Sequence, residues 1–355
     1  MSLRAELTVD LGAIVRNWQA LDALSSPGCD TAAVVKADGY GCGAAQVGQA
    51  LAHAGCRTFF VAVPDEGTTL RSATGPGPAI YILGGYACED ESLYKAHALR
   101  PVLNSAEQAR SWFDGANGPA AIQLDTGMNR LGMEAEELAG LGEIPRSVDL
   151  VMSHMGNADD PTHPLNRQQL GEFRRLSDGL GRRRSLSATA GLLLGADWHF
   201  DMSRMGIGLY GGWPFESAER VVSIGAPVIQ VRTLEPGETV GYGATFMSDS
   251  PRKIATISAG YADGLIRALS NGANAFIGGQ PVPLAGRVSM DLITLDVTDT
   301  DCAAGDSVEL LGPNQSIDDL AKAAGTIGHE ILTSLGTRYR RTYLANAAQS
   351  AVQSA

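Results

Sequence analysis

Ala33-Val34-Val35-Lys36-Ala37-Asp38-Gly39-Tyr40-Gly41 reads as a buried strand that ends on a lysine and runs straight into a glycine-rich turn carrying a tyrosine. A lysine at the mouth of an apolar strand is partly desolvated, which lowers its pKa and makes it usable as a base or a Schiff-base former. The same alternation of apolar run and helical pattern repeats outward from this stretch. Strands are expected at 33–36, 59–63, 79–83, 101–103, 121–125, 149–154, 185–189 and 206–210. An opening helix keeps Leu11, Ile14, Val15, Trp18, Leu21 and Leu24 on one face. Eight parallel strands with crossovers in about 215 residues is the arithmetic of a (β/α)8 TIM barrel, whose catalytic groups sit at the carboxyl ends of its strands. Lys36, Asp125 and His154 all fall at such ends. A doubly wound open sheet has the same periodicity, since counting strands does not show closure.

Beyond residue 225 the pattern changes to short strands without long helices, at 228–233, 253–258, 274–278, 292–297 and 307–311, separated by turns such as Glu235-Pro236-Gly237. One amphipathic helix is expected at 317–324, capped by Ser316 with Asp318 and Asp319 in its first turn. The division expected is a barrel domain over 10–225 and a β-rich C-terminal domain over 226–355, joined by an N-terminal strand at 1–9. An Ala- and Gln-rich tail from Ala345 is expected to fray.

The chain has 355 residues, with 27 Lys and Arg against 39 Asp and Glu, a net charge of −12. Such a field repels nucleic acid and anionic membranes, so neither is expected as a partner. No apolar signal core stands at 1–10 and no spanning run elsewhere, which gives a cytoplasmic address. Cys29, Cys42, Cys56, Cys88 and Cys302 are scattered and never paired as CxxC, so neither a disulfide framework nor a zinc cage is expected. The six histidines show no metal spacing either, and no metal is expected.

Four further segments give Lys36 its meaning: Leu124-Asp125-Thr126-Gly127-Met128-Asn129-Arg130-Leu131-Gly132, Val240-Gly241-Tyr242-Gly243-Ala244-Thr245, Gly260-Tyr261-Ala262-Asp263-Gly264 and Gly286-Arg287-Val288-Ser289-Met290-Asp291. Together and in this order they resemble the alanine racemase family, fold-type III enzymes that use pyridoxal phosphate. The resemblance covers nearly the whole chain. It implies interconversion of L- and D-alanine by two bases on opposite faces of the α-carbon. Lys36 holds the cofactor and serves the D-isomer, while Tyr242 serves the L-isomer. Because a tyrosine ordinarily ionises near about pH 10, that role needs help from neighbouring cations.

By the same resemblance, Thr189 and the backbone amides of Gly206 and Ile207 hold the cofactor phosphate, joined by the hydroxyls of Tyr40 and Tyr339. This agrees with the phosphate sites that barrels build in the loops after their last two strands. Arg204 faces the pyridine nitrogen, where a cation disfavours ring protonation and favours racemisation over transamination. His154 supports Arg204. Arg130 and the backbone of Met290 take the substrate carboxylate, and Tyr261 narrows the entrance. The resemblance also implies a homodimer in which Tyr242, Tyr261 and Met290 complete the other subunit's site, and D-alanine supply for peptidoglycan.

Three positions depart from the family pattern. Gln123 stands where many members have a lysine, often carbamylated, that orients the arginine, so Arg130 is expected to be oriented by the Gln123 carbonyl or by a chloride. Cys42 replaces a histidine, and Ala188-Thr189 replaces Asn-Ser while keeping the hydroxyl. Rival readings are a serine or broad-specificity racemase, an amino-acid decarboxylase on the same plan and a non-catalytic pyridoxal-phosphate carrier. Glu235-Pro236-Gly237 superficially matches a decarboxylase segment but stands after the barrel, and carriers of that kind lack a β domain.

Overall fold

The structure, a computed structural model, describes residues 4–115 and 118–345. The tail expected to fray lies, beyond Ala345, outside them. Backbone contacts divide the chain into two compact units, one comprising Ile14–Leu209 and Pro214–Ala218, the other Met1–Ala13, Tyr210–Trp213 and Glu219–Ala355.

The strands in chain order are β1 (Glu6–Asp10), β2 (Asp30–Val34), β3 (Thr58–Val61), β4 (Ala79–Ile82), β5 (Leu99–Leu103), β6 (Ala120–Gln123), β7 (Val148–Met152), β8 (Arg183–Ser185) and β9 (Met202–Met205). From β2 to β8 each pairs in parallel with the next, and β9 pairs with β2. The seam between β8 and β9 is drawn together by Asp201 N–H donating to Arg184 O at 3.0 Å, Arg204 N–H donating to Ser187 O at 2.9 Å and a parallel bridge between Ala188 and Arg204. The result is a nearly closed (β/α)8 barrel. Its strands are apolar on both faces, as in the wholly buried Thr58-Phe59-Phe60-Val61, because helices cover the outside and side chains fill the inside. The helices carry local start signals; Ser105, for example, caps Ala106–Asp114 by accepting the Gln108 N–H at 3.2 Å.

Two strands differ from their expected places. The last two barrel strands are β8 and β9, not 185–189 and 206–210, and Ile207–Tyr210 is a 3-10 turn. Their sequences, Arg183-Arg184-Ser185 and Met202-Ser203-Arg204-Met205, do not read as apolar runs. Ser185, Ser203 and Arg204 are nonetheless buried: Arg204 Nη1 donates to Ser185 Oγ at 2.6 Å, and Ser203, on the opposite face of its strand, meets Cys29 Sγ at 3.3 Å. The first strand also stops early. β2 ends at Val34, and Lys36 opens the following turn.

The second unit continues with β10 (Val222–Leu234), β11 (Thr239–Val240), β12 (Phe246–Met247), β13 (Arg252–Ile257), β14 (Asn274–Ile277), β15 (Gln280–Pro283), β16 (Ile293–Asp296), β17 (Ser307–Leu311) and β18 (Arg340–Leu344). Its main sheet runs β15-β14-β17-β10-β1-β18, with β13 pairing β10 and β16. The long β10 is its spine, paired with β1, β13 and β17, all antiparallel. Helix Ile317–Ala324 begins with a reciprocal capping box between Ser316 and Asp319. All five cysteines are free.

Two loops of this unit interlock at Gly260. A β-carbon there would run into the carbonyls of Ser289 and Met290, whose oxygens accept the N–H groups of Tyr261 and Ala262, each at 3.0 Å. Gly260→Ala is therefore expected to destabilise the unit by about 2 kcal/mol, read as an earlier urea midpoint. An unchanged midpoint would show that the loops give way freely.

Candidate active site

Val35 ends helix-incompatible and extended-strand geometry alike, and the four residues after Lys36 all take left-handed backbone: Ala37 (φ 52), Asp38 (φ 52), Gly39 (φ 63) and Tyr40 (φ 54). Three of them are not glycine, a strain of roughly 1–2 kcal/mol each. Asp38 secures the far side, its Oδ1 accepting Ala44 N–H at 2.8 Å. On the near side the Glu66 carboxylate accepts Ala37 N–H at 2.6 Å through Oε1 and Ala62 N–H at 2.7 Å through Oε2. Lys36 is half-buried and forms no hydrogen bond or ion pair among the described residues. Burial lowers its pKa, the charges of Arg130 and Arg204 lower it further, and Glu66 opposes them. The amine is thus pushed toward its neutral, nucleophilic form.

Arg204, on β9, is 4% exposed and has no carboxylate partner among the described residues. Its Nη1 donates to Ser185 O at 3.0 Å and Ser185 Oγ at 2.6 Å; its Nη2 donates to Ser153 O at 2.7 Å and lies 3.4 Å from His154 Nδ1. The guanidinium carbon stands 6.0 Å above the Phe60 ring. Nε makes no hydrogen bond among the described residues. Burial draws the Arg204 pKa down to about 10, so the group stays charged at neutral pH. His154 is driven the same way but past neutrality: burial first, then the charges of Arg204, Arg130 and Lys36, hold its pKa at about 3, so it stays uncharged. With Nδ1 accepting from Arg204, the neutral ring carries its proton on Nε2.

Near Arg204, Thr189 Oγ1 accepts the N–H groups of Gly206 at 3.2 Å and Gly208 at 3.4 Å. A β-carbon on Gly206 would stand 2.6 Å from Tyr40 Oη, so this glycine keeps a small cradle open between a hydroxyl and a chain turn. Tyr40 and Ile207 are buried beside it, and burial pushes the Tyr40 phenol up to about 12, leaving it a hydrogen-bond donor.

Arg130 is exposed, on the loop after β6. Asp125 Oδ1 orders that loop by accepting the N–H groups of Gly127, Met128 and Asn129 at 2.8, 3.0 and 3.1 Å. Gln123, buried at the end of β6, shares no hydrogen bond with Arg130 among the described residues, so of the two expected ways of orienting Arg130 the Gln123 carbonyl is not seen; the Asp125 turn shapes the backbone just before it. Sequence reasoning also missed Gln169, which is wholly buried on the helix Pro164–Ser177. It donates to His154 O at 3.0 Å and Thr126 Oγ1 at 3.3 Å and accepts Gly156 N–H at 2.8 Å. The buried face of that helix also carries Asn166 and Ser177, so Gln169 did not stand out in the sequence, and Ser153 and Ser185 offered no signal either.

In the second unit the three remaining motifs converge. Arg287 packs its guanidinium on Gly243, next to Tyr242, and the same loop clasps Tyr261 through Ser289 and Met290. Tyr242 is 71% exposed, Met290 53% and Tyr261 42%. Arg338 braces the loops from below, pairing with the buried Asp263 (Nε to Oδ1, 2.9 Å) and with Asp291 (Nη1 to Oδ1, 2.6 Å). Tyr339 is buried in this unit and its Oη has no partner among the described residues. Burial raises its pKa, so it too is held as a donor.

The pH behaviour of His154 is testable. In the unfolded chain it takes a proton near about pH 6.5, whereas in the barrel it resists protonation down to about 3. Between those values the unfolded state binds more protons, so stability falls as pH drops. From pH 7 to pH 5.5 the cofactor-free protein is expected to lose about 1.4 kcal/mol more than its His154→Gln variant, measured by urea unfolding. Parallel losses in both proteins would show that His154 is protonated in the fold.

Two family models cover the chain: "Alanine racemase, N-terminal domain" matches residues 9–214 and "Alanine racemase, C-terminal domain" residues 221–343. A protein from Dinoroseobacter shibae named alanine racemase is 55% identical, covering 96% of this chain and 98% of its own. One from Cereibacter sphaeroides of the same name is 53% identical, covering 97% and 99%. Among solved structures, alanine racemase from Bartonella henselae, with covalently bound pyridoxal phosphate, superposes with a TM-score of 0.91 at 38% identity, covering 96% of this chain and all of that one. The biosynthetic alanine racemase of Pseudomonas aeruginosa gives 0.90 at 36%, covering 96% and 99%. With both domain models matched and relatives above half identity along nearly its whole length, the chain belongs to the alanine racemase family.

Proposed function

We propose that this protein interconverts L- and D-alanine with pyridoxal phosphate, using Lys36 and Tyr242 as opposing bases. The observation that carries the reading is the cation cluster at the carboxyl ends of the barrel strands: an unpaired lysine of lowered pKa beside a buried arginine held only by neutral groups. The residues fit the cofactor. The cradle at Gly206, with Thr189 and Ile207, suits a phosphate, and the donors of Tyr40 and the unpartnered Tyr339 Oη suit its oxygens. Arg204 Nε suits a ring nitrogen acting as acceptor. Bound pyridoxal phosphate supplies the electron sink that weakens the α-C–H bond of an attached amino acid.

Lys36 attaches the cofactor and, once freed, moves a proton at the α-carbon on one face. Tyr242 moves a proton on the other. Arg204, fixed as a cation by Ser153, Ser185 and His154, would face the ring nitrogen of the bound cofactor and disfavour its protonation. His154 stays neutral and holds Arg204 without competing for charge. Arg130, with the backbone of Met290, grips the substrate carboxylate, and its fork matches that group's two oxygens. Tyr261 narrows the entrance.

In this reading the barrel domain at 10–225 carries the cofactor and the β domain at 226–355, with strand 1–9, carries the second base. The β domain acts on the other subunit of a homodimer, in the cytoplasm, to supply D-alanine for peptidoglycan. Support for the shared site comes from the large exposure of Tyr242, Met290 and Tyr261 on their own unit. Among the described residues no helix is long and apolar enough to cross a membrane.

Incubation with the cofactor and L-alanine in heavy water is expected to yield D-alanine deuterated at the α-carbon, much faster than D-serine forms from L-serine. Cofactor binding without α-proton exchange would overturn the reading. Lys36→Ala and Tyr242→Phe are each expected to be inactive. Mixed and refolded together they should recover about a quarter of wild-type activity, because half the dimers then hold one intact shared site. No recovery would place both bases in one subunit.

A further inference from the structure

We propose that Glu66 is a positioning residue for Lys36, tying the left-handed turn after the lysine to the end of the neighbouring strand and so fixing where the amine points. The inference rests on the role assigned to Lys36 above. Glu66 stands in the first turn of the helix Pro64–Thr74, and its two carboxylate oxygens are divided between two chain segments: Oε1 takes Ala37 N–H at 2.6 Å, Oε2 takes Ala62 N–H at 2.7 Å. Ala37 is the first left-handed residue, immediately after Lys36, and Ala62 immediately follows β3. Both are short, charge-assisted bonds. They meet the turn where it is strained, so the carboxylate holds a conformation that Ala37 and Asp38 would otherwise leave. The charged groups facing Lys36 are Arg130 and Arg204, both cations, and Glu66, the one anion; the neutral His154 faces it as well. Glu66 is therefore also the one group there that sustains the basicity of the amine.

Two variants separate reach from charge. Glu66→Gln keeps the length but loses the charge and turns an NH2 toward one of the two N–H donors. Glu66→Asp keeps the charge but is too short to span both. The first measurement uses cofactor-free protein: labelling of Lys36 by trinitrobenzenesulfonate against pH, quantified by peptide mass spectrometry. The second is kcat and KM of the loaded enzyme, per cofactor bound. Glu66→Gln is expected to lower the labelling midpoint by about half a pH unit to one unit, with Glu66→Asp near wild type. Both variants are expected to lose about tenfold in kcat while KM stays within about threefold, because the amine is misplaced rather than the substrate. A wild-type midpoint and kcat in Glu66→Gln would overturn the proposal. So would a lower melting temperature with kcat per loaded site unchanged, which would make Glu66 a stabiliser of the barrel alone. If the wild-type protein fails to racemise alanine, the functional reading fails, and the labelling midpoints still decide the role of Glu66.

Discussion

A guanidinium buried in the barrel without a counter-ion is the constraint on which the rest of the site depends. Burying an unpaired charge is costly unless its donors are satisfied. Arg204 meets that demand with neutral acceptors: the carbonyls of Ser153 and Ser185, the Ser185 hydroxyl and, more distantly, His154. The charge is solvated in this way but not cancelled. Burial is the main cause that lowers the pKa of Lys36 and His154, and the field of Arg204 adds to it at both.

The local sign of charge opposes that of the whole chain. The protein carries a net charge of −12, yet Lys36, Arg130 and Arg204 act together on one small region. The anion facing them, Glu66, already has its two oxygens occupied by backbone N–H groups. A region so arranged is complete only with an anionic ligand, and a phosphate and a carboxylate both meet the need. An acidic exterior adds selectivity, since it repels large polyanions while small ones reach the cluster.

Much of this was legible in the sequence because apolar periodicity and motif order report different things. Runs such as Thr58-Phe59-Phe60-Val61 mark barrel strands directly, and the order of five motifs marks the family. The strands that failed to show were β8 and β9, where Ser185 and Arg204 are buried and bonded to each other. Hydrophobic reading fails there because the barrel gives up apolar lining to solvate its cation. Glu66 and Gln169 were invisible for another reason: Glu66 ties nearby Ala62 to the distant Ala37, Gln169 reaches back to His154, and no local pattern records such a distant partner. The expected Gln123 contact to Arg130 is not formed among the described residues, while Asp125 orders the backbone of the loop through residues 127–129.

The β unit is rigid where its side chains are most exposed, and that combination is informative. Large residues such as Tyr242, Met290 and Tyr261 left in solvent forgo burial worth about 1.5–3 kcal/mol each. A loop free to relax would fold them inward. These loops are held instead by Arg338 on Asp263 and Asp291, by the Ser289 and Met290 carbonyls on the 260–262 turn, and by Arg287 against Gly243. Gly260 is required because no β-carbon fits between those carbonyls. Exposed side chains on loops braced in this way mark a surface suited to contact with something outside its own unit, and the proposed shared site would make use of it.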